Sequence, residues 1–364
     1  MKISEITLEL ETFAPLSLQE DYDNSGLIIG DFDKDIQKAL IALDITEEVL
    51  AEAIQGGYEL IITHHPIIFK GLKKLNGKNL VERLVLKAIK NDIAIYAFHT
   101  NVDNVLEGVN GIIAEKLGLT NVNVLQSKKG ILRKLHTFCP VNMADEVRNA
   151  LFEAGAGAIG NYDNCSFNLE GEGSFMPNDK AAPVVGVKNK LHFEKEVRIE
   201  VIFPDYLENK ILVSLFKAHP YEEIPYDIYP LENHIASIGA GAVGELPKEL
   251  SEKEILDNLK KVFGTQAIKH SKFLNKPIKK VALCGGAGSF LIPQAIAHKA
   301  DLFITGDLKY HDYFEADNQI LLADIGHYES EQFTKDLIYS ILNKKFPIFA
   351  LRISENKTNP IYYF

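Results

Sequence analysis

The sequence predicts an α/β protein in which two related βαβ-containing halves make one domain, interrupted by a ferredoxin-like α+β insert. Internal repetition is the first observation. Lys38–Thr63 aligns without a gap on Lys280–Thr305 at a constant offset of 242 positions, and each copy reads apolar strand, turn, amphipathic helix, second apolar strand. That succession is a βαβ unit. The repeat then extends downstream: residues 93–103 (IAIYAFHTNVD) and 320–331 (ILLADIGHYESE) are apolar runs ending at a histidine with a carboxylate four residues on, His99 with Asp103 and His327 with Glu331. The offset there is 228, so the second copy has fourteen fewer residues between its strands, as a loop deletion would leave. The third observation is the contrast of the intervening stretch. It reads strand (LHTFCP), helix (MADEVRNALFEAGA), strand (CSFNLEGEGSF), strand (EVRIEVIFP), helix (LENKILVSLFKA) and strand (EIPYDIYPL), two βαβ-like halves of a ferredoxin-like sandwich. Surface loops tolerate such insertions at modest entropic cost. The expected organisation is residues 1–126 for the first half, 127–245 for the insert and 246–364 for the second half.

In chain order, the start (MKISEITLELETFAPL) has no apolar core of a signal peptide, and no apolar run reaches the length of a bilayer span. A cytoplasmic protein without a membrane partner is expected. Composition agrees: 46% hydrophobic and 24% charged residues with a net charge of −11 exclude a disordered, collagenous or coiled-coil chain, and the acidic balance disfavours nucleic acid as a partner. Cys139, Cys165 and Cys284 are far apart and form no C-x-x-C pair, so neither a disulfide framework nor a thiolate zinc knuckle is expected. Asp21–Gly26 (DYDNSG) is a turn by composition and a candidate pocket wall. Ser251 and Glu254 have capping-box spacing at the head of a host helix that Gly264 ends. Lys269–Lys280 carries five lysines, which read as a solvated face.

Chemistry concentrates at the carboxyl ends of the predicted strands, where open α/β sheets bind ligands. Thr63-His64-His65-Pro66 follows the apolar run Leu60-Ile61-Ile62. Adjacent side chains at a strand end diverge, so His64 and His65 suit two neighbouring ions better than one shared ion. His99-Thr100-Asn101-Val102-Asp103 and His327 with Glu331 form two further clusters, the latter on one helix face if a helix starts near Ile325. Imidazole and carboxylate are the ligands of zinc, manganese or iron in hydrolytic sites, and the lack of nearby cysteine argues for an open rather than a closed structural site. Thr305-Gly306-Asp307 is the repeat counterpart of Thr63-His64-His65, so the second copy has ceded ligation there, leaving Asp307 and His311 as orienting groups, proton shuttles or plain caps. Cys284-Gly285-Gly286-Ala287-Gly288-Ser289 follows a strand and opens a helix; it reads equally as an anion-binding turn or a plain tight turn.

THHP at 63–66, HTNVD at 99–103, GGAGS at 285–289, TGD at 305–307 and HYESE at 327–331 together resemble the Nif-three-like family, the GTP cyclohydrolase 1 type 2 homologues. The insert, with HPYEEIPYDIYPL at 219–231, looks like the PII/CutA-like middle domain of its longer bacterial members. The resemblance implies two divalent ions per subunit, with zinc first and iron or manganese as alternatives, held by His64, His65, Asp103, His327 and Glu331, with Glu331 bridging. It also implies a toroidal homohexamer. Two departures stand out: Tyr22 where members often have Trp, and Asp307-Leu308-Lys309-Tyr310 where they have a histidine-rich stretch, which leaves His311 as the proton donor to consider. His99 matches His327 by the repeat and would be a sixth ligand on that ground; the family pattern places it instead beside the ligands or the substrate. His99, Asp307 and His311 are therefore the catalytic candidates. The expected function is metal-dependent hydrolysis of a nucleotide or related small molecule. The alternative is a non-catalytic metal-binding or regulatory oligomer whose insert senses a small ligand, and a weaker third is a ring around DNA.

Overall fold

A computed structural model describes all residues from Met1 to Phe364. The chain forms two compact units, one of residues 1–127 with 237–364 and one of residues 128–236.

The first unit holds two sheets that repeat one another. The first runs, edge to edge, Gly26–Ile29, Ala94–Ala97, Leu60–Thr63, Lys38–Ala42, Ala350–Ile353, parallel throughout except for the antiparallel Gly26–Ile29. The second runs Lys269–His270, Leu321–Asp324, Leu302–Gly306, Ile278–Ala287, Gly239–Leu250, Thr120–Ser127; its three inner repeat strands are parallel and the others antiparallel. The strands with sequence repeats thus occupy the same order in both sheets. Leu60–Thr63 and Leu302–Gly306 are buried along their whole length, which is why they read as unbroken apolar runs rather than alternating ones.

Ile41, Ile62, Leu283 and Ile304 belong to one core shared by both sheets and by the helices Ile3–Phe13, Glu252–Phe263 and Thr334–Lys345. Helices Glu47–Gly56 and Leu80–Lys90 cover the other face of the first sheet, and Ile292–Ala297 covers that of the second. Local signals set these ends. The Thr46 hydroxyl caps Val49 N–H, Gly57 closes the same helix at φ +64°, and Ser251 with Glu254 makes the expected capping box before Gly264. No helix is long and apolar enough to cross a membrane.

Two expectations change. The second insert boundary lies at 236 rather than 245, because Gly239–Leu250 pairs with both Thr120–Ser127 and Ile278–Ala287 inside the host sheet. The fourteen residues absent from the second copy are more than loop: the helix Leu80–Lys90 stands in the first copy, and only the short 3-10 turn Asp312–Ala316 in the second.

The second unit is ferredoxin-like. Its elements are Leu132–Pro140, helix Ala144–Glu153, Phe167–Phe175, His192–Pro204, helix Glu208–Ala218 and Tyr226–Leu231. The first and third strands lie in the middle of an antiparallel sheet and the second and fourth at its edges. Leu135, Cys139, Val197, Ile199 and Val201 pack on the two helices.

Candidate metal centre

Three strand ends of the first unit converge. His64 and His65 leave Leu60–Thr63, His99 leaves Ala94–Ala97 and starts the short helix Thr100–Asp103, and His327 starts the short helix His327–Glu331 after Leu321–Asp324. Each short helix places its carboxylate one turn beyond its histidine.

All four imidazoles use Nδ1 in the same way. Nδ1–H of His64 donates to the Phe98 carbonyl (2.9 Å), that of His65 to Asp44 (2.7 Å), that of His99 to Asp23 (2.7 Å) and that of His327 to Asp307 (2.8 Å). Every partner is a pure acceptor, which holds a proton on Nδ1, so that in the neutral ring it is the Nε2 lone pair that faces the centre. Such a hydrogen bond on the far nitrogen is the usual companion of a ligating histidine.

Glu331 divides its carboxylate between two groups of donors. Its Oε1 lies 3.6 Å from His64 Nε2, which is 3.8 Å from Asp103 Oδ1; its Oε2 lies 3.0 Å from Nε2 of both His65 and His327. His65 and His327 bring their Nε2 atoms within 3.2 Å of each other. The ligand atoms of His64, His65 and His99, and those of His65, His327 and Glu331, fall within 4.8 Å of one another. His64 Nε2, Asp103 Oδ1 and Glu331 Oε2 are buried without a hydrogen-bond partner. Leaving a buried polar atom unpaired costs about 1–3 kcal/mol, more for a charged group. Three such atoms, two of them carboxylate oxygens beside an imidazole nitrogen, are donors of the kind that zinc, iron or manganese takes, and they fit a metal site.

The electrostatics follow from the same contacts. Burial disfavours the His65 imidazolium, but the hydrogen bond to Asp44 and the Glu331 carboxylate outweigh it and raise the group to about 10. His327 is raised to about 9 against the same burial penalty by Glu331 and Asp307. Glu331 is held well below the usual carboxylate range, where the surrounding histidines overcome its burial. Enclosure shifts Asp103 the other way, upward.

The glycine loop is a seat for Glu331 and not a phosphate cradle. A Cβ on Gly286, whose φ is +62°, would lie 2.2 Å from Glu331 Oε1, and one on Gly306 would lie 2.8 Å from the His327 nitrogen. The loop N–H groups are already committed: Gly285 donates to Asn110, Gly286 to Ser330 and Gly288 to Thr305, each at 2.9 Å. Of the other candidates, Asp307 adopts φ +57° and orients His327. His99 lies against His64 and His65. His311 is exposed and packs on Tyr310 and Phe314, away from the cluster's hydrogen bonds. The turn Asp21–Gly26 does line the site, through Asp23, which also accepts from the Thr100 amide at 3.0 Å. Of the lysine run, Lys269 pairs with Asp324 and Lys279 reaches the Leu246 carbonyl, both at 2.5 Å.

Sequence reasoning passed over Asp44 and Thr358. Asp44 follows the strand Lys38–Ala42, a strand end like the others, so its position was readable. Thr358, whose hydroxyl donates to Asp44 Oδ2 at 2.5 Å, comes from the C-terminal segment and carries no sequence signal.

A family model described as Duf34/NIF3 (NGG1p interacting factor 3) matches residues 1–360. A protein of Bacillus subtilis named "GTP cyclohydrolase 1 type 2 homolog" is 39% identical over 97% of this chain and 96% of its own length, and one of the same name from Halalkalibacterium halodurans is 40% identical over 87% and 86%. Among solved structures, a Bacillus cereus protein described as related to NIF3 superposes with a TM-score of 0.87 at 38% identity, over 100% of this chain and 99% of that one. A Staphylococcus aureus protein gives a TM-score of 0.79 at 29% identity over the same shares.

Proposed function

The chain belongs to the Duf34/NIF3 family, and on that premise we propose that it is a dinuclear-metal hydrolase acting on a nucleotide or related small molecule. The observation that carries the reading is the division of Glu331 between two donor groups, together with the three buried ligand-type atoms that no protein group satisfies. His64, Asp103 and Glu331 Oε1 would hold one cation, and His65, His327 and Glu331 Oε2 the other. His99, whose ligand atom groups with those of His64 and His65, would lie beside these ions as a supporting group or a substrate contact. A cation pair supplies Lewis-acid polarisation of the scissile bond and lowers the pKa of bound water.

The chain's own residues do the rest. Asp44, Asp23, Asp307 and the Phe98 carbonyl hold the imidazoles in one tautomer and one orientation. Gly286 leaves room for the bridging carboxylate. With the glycine-loop amides already engaged, an anionic substrate has to be held by other groups. The nucleotide class rests on the name carried by the relatives, and zinc and a toroidal homohexamer belong to the same proposal.

Elemental analysis, native mass and turnover test it together. The protein should carry two equivalents of divalent metal, and loaded protein should release formate or a ring-opened product from GTP, or cleave another nucleotide or phosphodiester. Metal-loaded protein that turns over none of these would refute the hydrolase and leave a metal-binding protein.

A further inference from the structure

The ferredoxin-like unit has a cavity that the metal chemistry does not use. Its helices cover one face of the sheet, where Cys139 and Val197 are buried; strand alternation turns their neighbours Phe138 and Glu196 to the other face. There a cavity of about 550 Å³ is walled by Phe138, Phe175, Met176, Pro183, Val184 and Pro225. That volume is ordinary for a small-molecule site. Its charged lining residues are Glu196, Glu222 and Glu223, with no lysine, arginine or histidine among them.

Glu196 is the centre of this site. It is 8% exposed, and its Oε1 accepts the Tyr221 hydroxyl at 2.8 Å while its Oε2 has no protein donor. The partner is itself fixed: Tyr221 N–H donates to His219 Nδ1 (3.2 Å), and His219 Nε2–H donates to the Phe138 carbonyl (3.0 Å). Space beside Oε2 is kept by Gly173, where a Cβ would lie 2.2 Å from that oxygen. Glu222 accepts the Ala182 N–H at 2.7 Å, tying the loop around Pro183 to the loop after Tyr221. Arg198, on the same face of the strand, pairs through one terminal nitrogen with Glu200 at 2.8 Å, while its Nε is buried without a partner.

This enclosed carboxylate meets one neutral donor through Oε1, which leaves Oε2 to accept from a group that enters the cavity. Of the three carboxylates Glu222 is already engaged by the Ala182 N–H and the rest of the wall is mainly carbon, a poor set of oxygens for a metal ion, whereas an ammonium or guanidinium needs only an acceptor and is favoured further by aromatic faces. We propose that this cavity binds a small organic cation, a primary amine or guanidine with an apolar body, whose charged head meets Glu196 and whose body packs on Phe138 and Phe175.

Titration calorimetry of the full-chain protein tests it with phenethylamine and agmatine as probes and phenethyl alcohol as the uncharged match. At least one amine should bind roughly tenfold or more tightly than the alcohol, a difference of about 1.4 kcal/mol. Glu196→Gln should remove that preference, and Gly173→Ala should weaken binding by displacing the Glu196 carboxylate, whose Oε2 would lie 2.2 Å from the new Cβ. Unchanged melting and metal content of Glu196→Gln separate a lost site from a lost fold. Failure of both amines to bind, equal binding of amine and alcohol, or an amine affinity indifferent to Glu196→Gln would overturn the proposal. A change of native mass in Glu196→Gln without amine binding to the wild type would also overturn it, assigning the cavity to a second copy. The metal-centre reading stands or falls separately, because it shares no residue with this test.

Discussion

The two halves of the first unit share a strand order but not a task. Leu60–Thr63 ends in His64 and His65, while its counterpart Leu302–Gly306 ends in Gly306 and Asp307. A Cβ at Gly306 would lie 2.8 Å from the His327 nitrogen, so the second half has no room for a histidine where the first has one. Asp307 turns to hold His327 instead. The matched pairs diverge as well: Asp103 is 26% exposed, whereas Glu331, one methylene longer, is 4% exposed and reaches both groups of imidazoles. Duplication thus supplied two equivalent strand ends, and specialisation made one the store of nitrogen donors and the other the seat of a shared carboxylate.

The strongest way to break this comparison is to remove the shared group. Glu331→Gln should weaken both metal equivalents by more than roughly a hundredfold, beyond what loss of a supporting hydrogen bond costs. Asp103→Asn should weaken one. Metal content after dialysis against a graded chelator separates the two outcomes, and retention of two equivalents by Glu331→Gln would break the division between the halves.

Next in size is the seat itself. Gly286→Ala places a methyl where Glu331 Oε1 lies and asks a non-glycine residue for φ +62°. Denaturant unfolding should show a loss of about 2–3 kcal/mol, the combined scale of a steric clash and an unfavourable backbone region. Gly285→Ala should cost less, because the nearest atom there is the Val109 side chain at 2.8 Å, which has freedom to shift.

The pH dependence sharpens the comparison from another side. In metal-free protein, His65 and His327 have folded pKa values raised to about 10 and about 9, above an unfolded value near 6.5. A raised pKa means that the stabilisation is complete below about pH 6.5 and is lost as pH rises through the folded values. Melting of metal-free protein should therefore fall between about pH 6.5 and 10, on the order of 1 kcal/mol per pH unit after allowance for partial exposure. Added metal should restore more stability at the alkaline end, since ligation displaces those protons. A flat profile in metal-free protein would show that the histidines are not held by Glu331, Asp44 and Asp307 as the geometry has them.

The sequence carried the ligand-type positions because each sits at a strand end or one helical turn beyond it, and both patterns are local. The repeat matched His99 and Asp103 with His327 and Glu331, the strand end added His64 and His65, and the family resemblance named the ligands among them. Of the groups that orient them, Asp307 and the turn holding Asp23 were legible as candidates, whereas Asp44 was passed over and Thr358 was hidden, because it meets Asp44 across a separation of 314 residues. The glycine loop stayed open between two readings for a related reason. Glycines that open a helix resemble an anion site until Asn110, Ser330 and Thr305 are seen to occupy their N–H groups. His311 was a candidate by proximity in sequence, yet the turn Asp312–Ala316 that replaces a helix of the first half leaves it facing solvent.

The smallest expected effects test whether the two halves orient their histidines equally. Asp307→Asn and Asp44→Asn each keep the shape but lose the acceptor charge on Nδ1–H, and each should weaken metal binding about tenfold, at the lower end for such supporting groups. Thr358 acts one step further out, through Asp44, so Thr358→Val should cost only a few-fold and Thr358→Ser should restore the wild-type value. His327 has no such outer support on Asp307, whose shape relies on its own φ of +57°. Competition with a chromophoric chelator therefore should find the first half buffered against mild changes and the second not. An equal response of both halves, or a loss in Thr358→Ser matching that in Thr358→Val, would show that the C-terminal segment merely rests on Asp44 without positioning it.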